Sequence, residues 1–92
     1  MRSSSIGIDL GGTKLLLLCE HAEAIYSTGI GFTPDQLLAH LDNFITQNEL
    51  MPSSIGVAVP GLVSASGDIV LSDVLPAFNG WQATQALQPW CN

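Results

Sequence analysis

Positive charge is nearly missing from this chain. Across its 92 residues, Arg2 and Lys14 are the only cations against eight acids, for a formal net charge of −6 and an isoelectric point near 4.2. Nucleic-acid surfaces need clustered cations to displace the counterions of phosphates, so a nucleic-acid partner is not expected. Long apolar runs are lacking as well. The longest, Leu15 to Cys19, is far below the roughly 20 residues that a helix needs to cross a bilayer. Met1-Arg2-Ser3 leads directly into a strand-like stretch without the apolar segment of a secretion signal, so a cytoplasmic protein with no membrane partner is expected. Cysteine is scarce: Cys19 lies in an apolar run and Cys91 beside the terminus, with neither C-x-x-C spacing nor a histidine cluster. Both read as reduced thiols, Cys19 buried and Cys91 exposed, and not as a disulfide or metal pair.

What the chain has in excess is apolar surface. Hydrophobic residues make up 47% and charged residues 11%, with a mean hydropathy of +0.37. The length suits one small domain, and the apolar share exceeds what such a domain usually needs for its own core. A homo-oligomer is therefore expected.

The most informative segment is Ile6-Gly7-Ile8-Asp9-Leu10-Gly11-Gly12-Thr13-Lys14-Leu15-Leu16-Leu17-Leu18, two β-compatible runs around an acid, two glycines, a threonine and a lysine. Gly11-Gly12 signals a hairpin, and the lack of a Cβ lets backbone N–H groups face a ligand. Asp9, close to the turn, suits a hydrated Mg²⁺, which takes carboxylate, water and nucleotide oxygens together. Thr13 and Lys14 are candidates for phosphate oxygens. Neither G-x-x-x-x-G-K-[ST] nor G-x-G-x-x-G occurs.

Further along, Ala24 to Thr28 reads as a third strand completing a meander. Thr33-Pro34-Asp35-Gln36 is a capping-box signature. It opens a helix from Pro34 to about Asn48 with Leu37, Leu38, Leu41, Phe44 and Ile45 on one face and Gln36, His40, Asn43 and Gln47 on the other, ended by Leu50-Met51-Pro52. Ser54 to Val59 is an apolar β-run broken by Pro60-Gly61. Leu62-Val63-Ser64 and Ile69-Val70-Leu71 form a hairpin around Ala65-Ser66-Gly67-Asp68, Ser72 to Trp81 is loop, and Gln82 to Gln88 starts a helix closed by Pro89. His21 and His40 lie in different elements without ligand spacing and are expected at the surface. Asp73, Asp35 and Asp42 read as solvated or structural acids, Asp35 suiting the positive end of the helix dipole.

The string Ile8-Asp9-Leu10-Gly11-Gly12-Thr13-Lys14 resembles the first phosphate-binding motif of the sugar kinase, actin and Hsp70 superfamily, and within it the ROK family of bacterial sugar kinases and related repressors. Ile55-Gly56-Val57-Ala58-Val59-Pro60-Gly61-Leu62-Val63, followed by Gly67-Asp68-Ile69-Val70-Leu71, resembles a second ROK segment, and Phe78-Asn79-Gly80-Trp81 a third. The resemblance implies an α/β fold, a ribonuclease-H-like (actin-like ATPase) half-domain of order βββαβ plus a β-hairpin. It also implies an ATP-dependent hexose kinase, glucokinase-like or N-acetylhexosamine kinase-like. ATP and Mg would be held by Asp9, Gly11, Gly12, Thr13 and Lys14, Asp9 reaching the metal through water. The rim of a hexose or N-acetylated hexosamine pocket would include Gly61, Leu62 and Val74. Family members often carry Asn-Leu-Pro where this chain has Val74-Leu75-Pro76, so a hydroxyl contact there is a point of departure.

The resemblance covers Ile6 to Leu87 and only the front of the family pattern. The catalytic aspartate is expected beyond Asn92, as are the adenosine site, the second domain and the zinc cluster of many members, which leaves zinc open. Residues 1–92 thus read as an N-terminal segment truncated before the catalytic-aspartate strand and inactive alone. A sugar-sensing ROK-type regulator and a non-catalytic remnant serving as an interaction module are the alternatives.

Overall fold

The structure, a computed structural model, describes residues 2–91. Three strands open the chain, β1 (Arg2–Leu10), β2 (Lys14–Leu18) and β3 (Glu23–Ser27), followed by helix α1 (Pro34–Gln47) and strand β4 (Leu50–Ala58). A hairpin of β5 (Leu62–Val63) and β6 (Ile69–Leu71) comes next, then a 3₁₀ turn (Pro76–Phe78), helix α2 (Ala83–Leu87) and a second 3₁₀ turn (Gln88–Trp90). The first four strands form one sheet in the order β3-β2-β1-β4, with β5 and β6 a separate pair. β1 runs antiparallel to β2, β2 to β3, and β4 lies parallel to β1. This is the expected βββαβ order with its hairpin, an α/β fold.

Alternation decides which side of the sheet is core. Ile6, Ile8 and Leu10 of β1 and Leu15 and Leu17 of β2 are 0–2% exposed and meet Leu37, Leu41 and Phe44 of α1. Their neighbours Gly7, Asp9, Leu16 and Leu18 point to the opposite face by the two-residue period of a strand, together with Ile25 of β3 and Gly56 and Ala58 of β4, given the pairing register. No helix covers that face among the described elements, and Leu18 and Ile25 stand exposed on it.

α1 begins as its capping box requires. The Gln36 amide donates to Thr33 Oγ1 at 3.2 Å, the Thr33 amide donates to Gln36 Oε1 at 2.9 Å, and Pro34 fills the first turn. Its end falls where expected, beside Asn48, but the terminator differs. The Asn48 amide makes the last helical bond, to the Phe44 carbonyl, its side-chain Nδ2 donates to the same carbonyl, and Glu49 leaves the helix by turning left-handed at φ 52°. Leu50, Met51 and Pro52, read as the helix terminator, already belong to β4. Pro52 is tolerated because β4 is a rim strand, where a missing donor need not break a ladder, and the register slips by one residue beside it, between Ser4 and Ser5.

Other expectations change as well. His40 is not a free surface residue: its ring stacks on Tyr26 at 3.8 Å between centroids, in a ladder that continues through Phe32 to Phe78, with Trp81 edge-on to Phe78. Cys19 and Cys91 are both half-buried thiols, instead of one buried and one exposed. The segment Ser72 to Trp81, read as loop, contains the Pro76–Phe78 turn, and Pro89 lies within the second 3₁₀ turn. Asp42 accepts a hydrogen bond from Trp90 Nε1 at 3.1 Å, tying α1 to the last turn.

Candidate phosphate-binding site

β1 and β2 are joined by a tight turn that closes with the Gly11 amide donating to the Lys14 carbonyl at 2.9 Å. Its glycines are not needed for backbone conformation, since neither takes a positive φ. Their surroundings are tight. A Cβ on Gly11 would lie 3.1 Å from the Lys14 carbonyl oxygen, and one on Gly12 would lie 3.2 Å from Val74 Cβ. Thr13 and Lys14 are exposed at the tip, and Asp9 is exposed on the uncovered face, the face that strand alternation also assigns to Lys14. Among the described residues Asp9 and Lys14 make no ion pair.

Thr28, just beyond β3, braces this turn, a role that the strand reading of Ala24 to Thr28 does not include. Its hydroxyl donates to the Gly11 carbonyl at 2.7 Å and its amide donates to the Thr13 carbonyl at 3.0 Å. The carbonyls of Gly11, Thr13 and Lys14 are thus all occupied, while the amides of Gly12 and Thr13 donate to no carbonyl among the described residues. Two adjacent amides left open on a turn most of whose carbonyls are engaged suit an anion. A threonine directly after the strand that pairs with the turn was the available sequence signal.

Val74 brings the second group of candidate residues to the first, packing against Gly12. Its loop is anchored by Ser72, a buried polar residue that sequence reading passed over. The Ser72 hydroxyl donates to the Pro60 carbonyl at 2.8 Å and accepts from the Leu75 amide at 3.1 Å, and the Ser72 amide donates to Asn79 Oδ1 at 2.6 Å. Leu75 and Phe78 beneath it are fully buried. The Pro60-Gly61 corner is thereby tied to the loop that reaches the turn. At Gly61 a Cβ would collide with the Leu71 carbonyl, so its glycine follows from the close hairpin approach whether or not a ligand comes near. Leu62 pairs with Leu71 and is exposed, as is Val74. Trp81 packs on Phe78.

Chemically the turn offers two open amides, a threonine hydroxyl, one ammonium and one nearby carboxylate. That donor set fits a metal–phosphate group, in which a divalent cation needs only one protein carboxylate because phosphate and water oxygens supply the rest. Among the described residues no group of three or more His, Cys, Asp or Glu side chains could hold a metal by itself, and no helix is long and apolar enough to cross a membrane.

No protein-family profile and no curated protein sequence matches the chain. Solved structures do. The chain superposes on Lmo2764 from Listeria monocytogenes, provisionally assigned as an N-acetylmannosamine kinase, with a TM-score of 0.79 and 22% identity, covering 94% of this chain and 31% of that one. It superposes on a provisionally assigned sugar kinase from Cytophaga hutchinsonii with a TM-score of 0.76 and 23% identity, covering 94% of this chain and 32% of that one. The fold is that of part of these structures, and the chain spans about a third of their length.

Proposed function

We propose that this chain is the phosphate- and metal-holding N-terminal part of an ATP-dependent hexose kinase of the ROK type, acting on a hexose or an N-acetylated hexosamine. The observation that carries the reading is the turn at Gly11 to Lys14, which has the Gly11, Thr13 and Lys14 carbonyls engaged and its Gly12 and Thr13 amides open. Its contact with Val74, and through Ser72 with the Pro60-Gly61 corner, supports a phosphate group and a sugar held side by side. The N-acetylmannosamine assignment of one structural neighbour supports the acetylated alternative.

In this reading the open amides and Lys14 hold phosphate oxygens, Asp9 holds the Mg²⁺ through water, and Gly61, Leu62 and Val74 border the sugar. When bound, the metal supplies positive charge against the phosphates. Phosphoryl transfer rests on positioning and electrostatics with an oriented hydroxyl. The base that orients it and the adenosine pocket are assigned to parts of the kinase fold outside the third spanned here, so residues 1–92 alone bind weakly and transfer nothing. A cytoplasmic location and self-association through the rim of β4 belong to the same proposal.

The test is a titration with Mg-ATP followed by amide NMR, alongside assays with glucose, mannose and N-acetylmannosamine. Shifts are expected at Gly12 and Thr13, weakened in Asp9→Asn, with no sugar phosphate formed by the 92 residues. Phosphorylation by this chain alone, or ATP shifts confined to another surface, would overturn the proposal.

A further inference from the structure

Thr28 is the residue through which β3 controls the turn. Three facts converge on it. Its hydroxyl takes the Gly11 carbonyl at 2.7 Å, its amide takes the Thr13 carbonyl at 3.0 Å, and the turn's own closing bond uses the Lys14 carbonyl. A backbone carbonyl carries partial negative charge, and one left free on this turn would oppose an anion approaching the adjacent amides. Engaging that carbonyl with a hydroxyl removes the acceptor and holds the peptide plane, because rotation of the Gly11–Gly12 peptide moves the Gly11 carbonyl and the Gly12 amide together.

We infer that Thr28 is a positioning residue for a phosphate-bearing ligand: by holding the Gly11 carbonyl it fixes the peptide whose other end is the open Gly12 amide. This rests on the phosphate reading given above and deepens it, since Thr28 touches no ligand and acts through the turn. The opposite side of the turn is flanked by Val74, whose Cβ would lie 3.2 Å from a Cβ on Gly12. The peptide between Gly11 and Gly12 is therefore fixed by a hydrogen bond on one side and by packing on the other. Loosening either side should let the amide swing.

Two substitutions separate position from bulk. Thr28→Val keeps the shape and the backbone bond to Thr13 but deletes the hydroxyl, and Thr28→Ser keeps the hydroxyl. Each is titrated with Mg-ATP and with inorganic tripolyphosphate, following the Gly12 and Thr13 amides by NMR, and melted in parallel. One neutral hydrogen bond supports an expected loss of roughly five-fold in affinity for Thr28→Val, with Thr28→Ser within about two-fold of the parent by the same reasoning. The unliganded Gly12 amide should also shift in Thr28→Val and not in Thr28→Ser. Equal affinity in all three proteins overturns the role of Thr28 alone. A loss in Thr28→Ser as large as in Thr28→Val makes the residue one of packing and overturns it too. No binding by the parent chain overturns the phosphate reading itself and takes this inference with it.

Discussion

β1 and β4 lie side by side in parallel with the same alternation of apolar and small or polar residues, yet they end in different states. The core-facing Ile6, Ile8 and Leu10 of β1 are each 2% exposed, whereas Ile55 and Val57 of β4, paired to the first two, are only half-buried. The difference is position. β1 has a strand on both sides and α1 across it, whereas β4 is the rim of the sheet. Beside it runs an apolar trough of about 360 Å³, lined by Ile55, Val57, Val63, Ile69, Leu87 and Cys91 among others. β4 also carries no charged residue over its length, although charge is a common way of keeping a rim strand from pairing with another chain. Pro52 and the register slip guard only its first half.

Matched truncations test the contrast most severely. Leu17→Ala on the inner strand β2, at a site with no exposure, should cost about 2–5 kcal/mol in chemical denaturation. Val57→Ala on the rim should cost roughly 1 kcal/mol or less, because a half-buried side chain gives up part of its transfer energy and leaves no closed cavity. Equal losses would show that β4 is as enclosed as its inner neighbours. Between the two lies Gly61→Ala. This position is exposed, yet the Leu71 carbonyl stands where the methyl would go, so a loss of about 1–3 kcal/mol is expected despite the exposure. A neutral result would mean that the hairpin opens freely at this corner.

The smallest effect on stability should accompany the clearest effect on association. Val57→Lys can extend its ammonium from the rim to water, so melting should move little, while light scattering should shift from an associated species towards the monomer. A parent chain that is already monodisperse and monomeric at high concentration would remove the rim of β4 as a meeting surface.

Much of the architecture was legible beforehand, for reasons that act locally. Thr33, Pro34 and Gln36 announce the start of α1 through groups that bond to one another within a single turn. Leu37, Leu41 and Phe44 mark its buried face by spacing alone. The hairpin at Gly11-Gly12 and the strand at Ala24 were readable on similar grounds. The end of α1 near Asn48 was legible too, but it is set by the Asn48 side chain turning back on the Phe44 carbonyl and by the conformation of Glu49, not by Pro52, which belongs to the rim strand β4. His40 was taken for a surface residue because nothing in its neighbourhood along the chain announces Tyr26, which reaches it from another element.

The candidate site divides the same way. Asp9, Gly11, Gly12, Thr13 and Lys14 are adjacent in the chain, and a strand–turn–strand brings them together whatever the remainder does, so local sequence alone determined that grouping. Thr28, Ser72 and Val74 matter only because the β2–β3 pairing and the return of the hairpin deliver them to the turn and the Pro60-Gly61 corner. The residue types of Ser72 and Val74 carry no mark of it. Hydrogen bonds and packing between distant segments exist only once the chain has closed on itself, and that closure decided which carbonyls of the turn are engaged and which amides remain open.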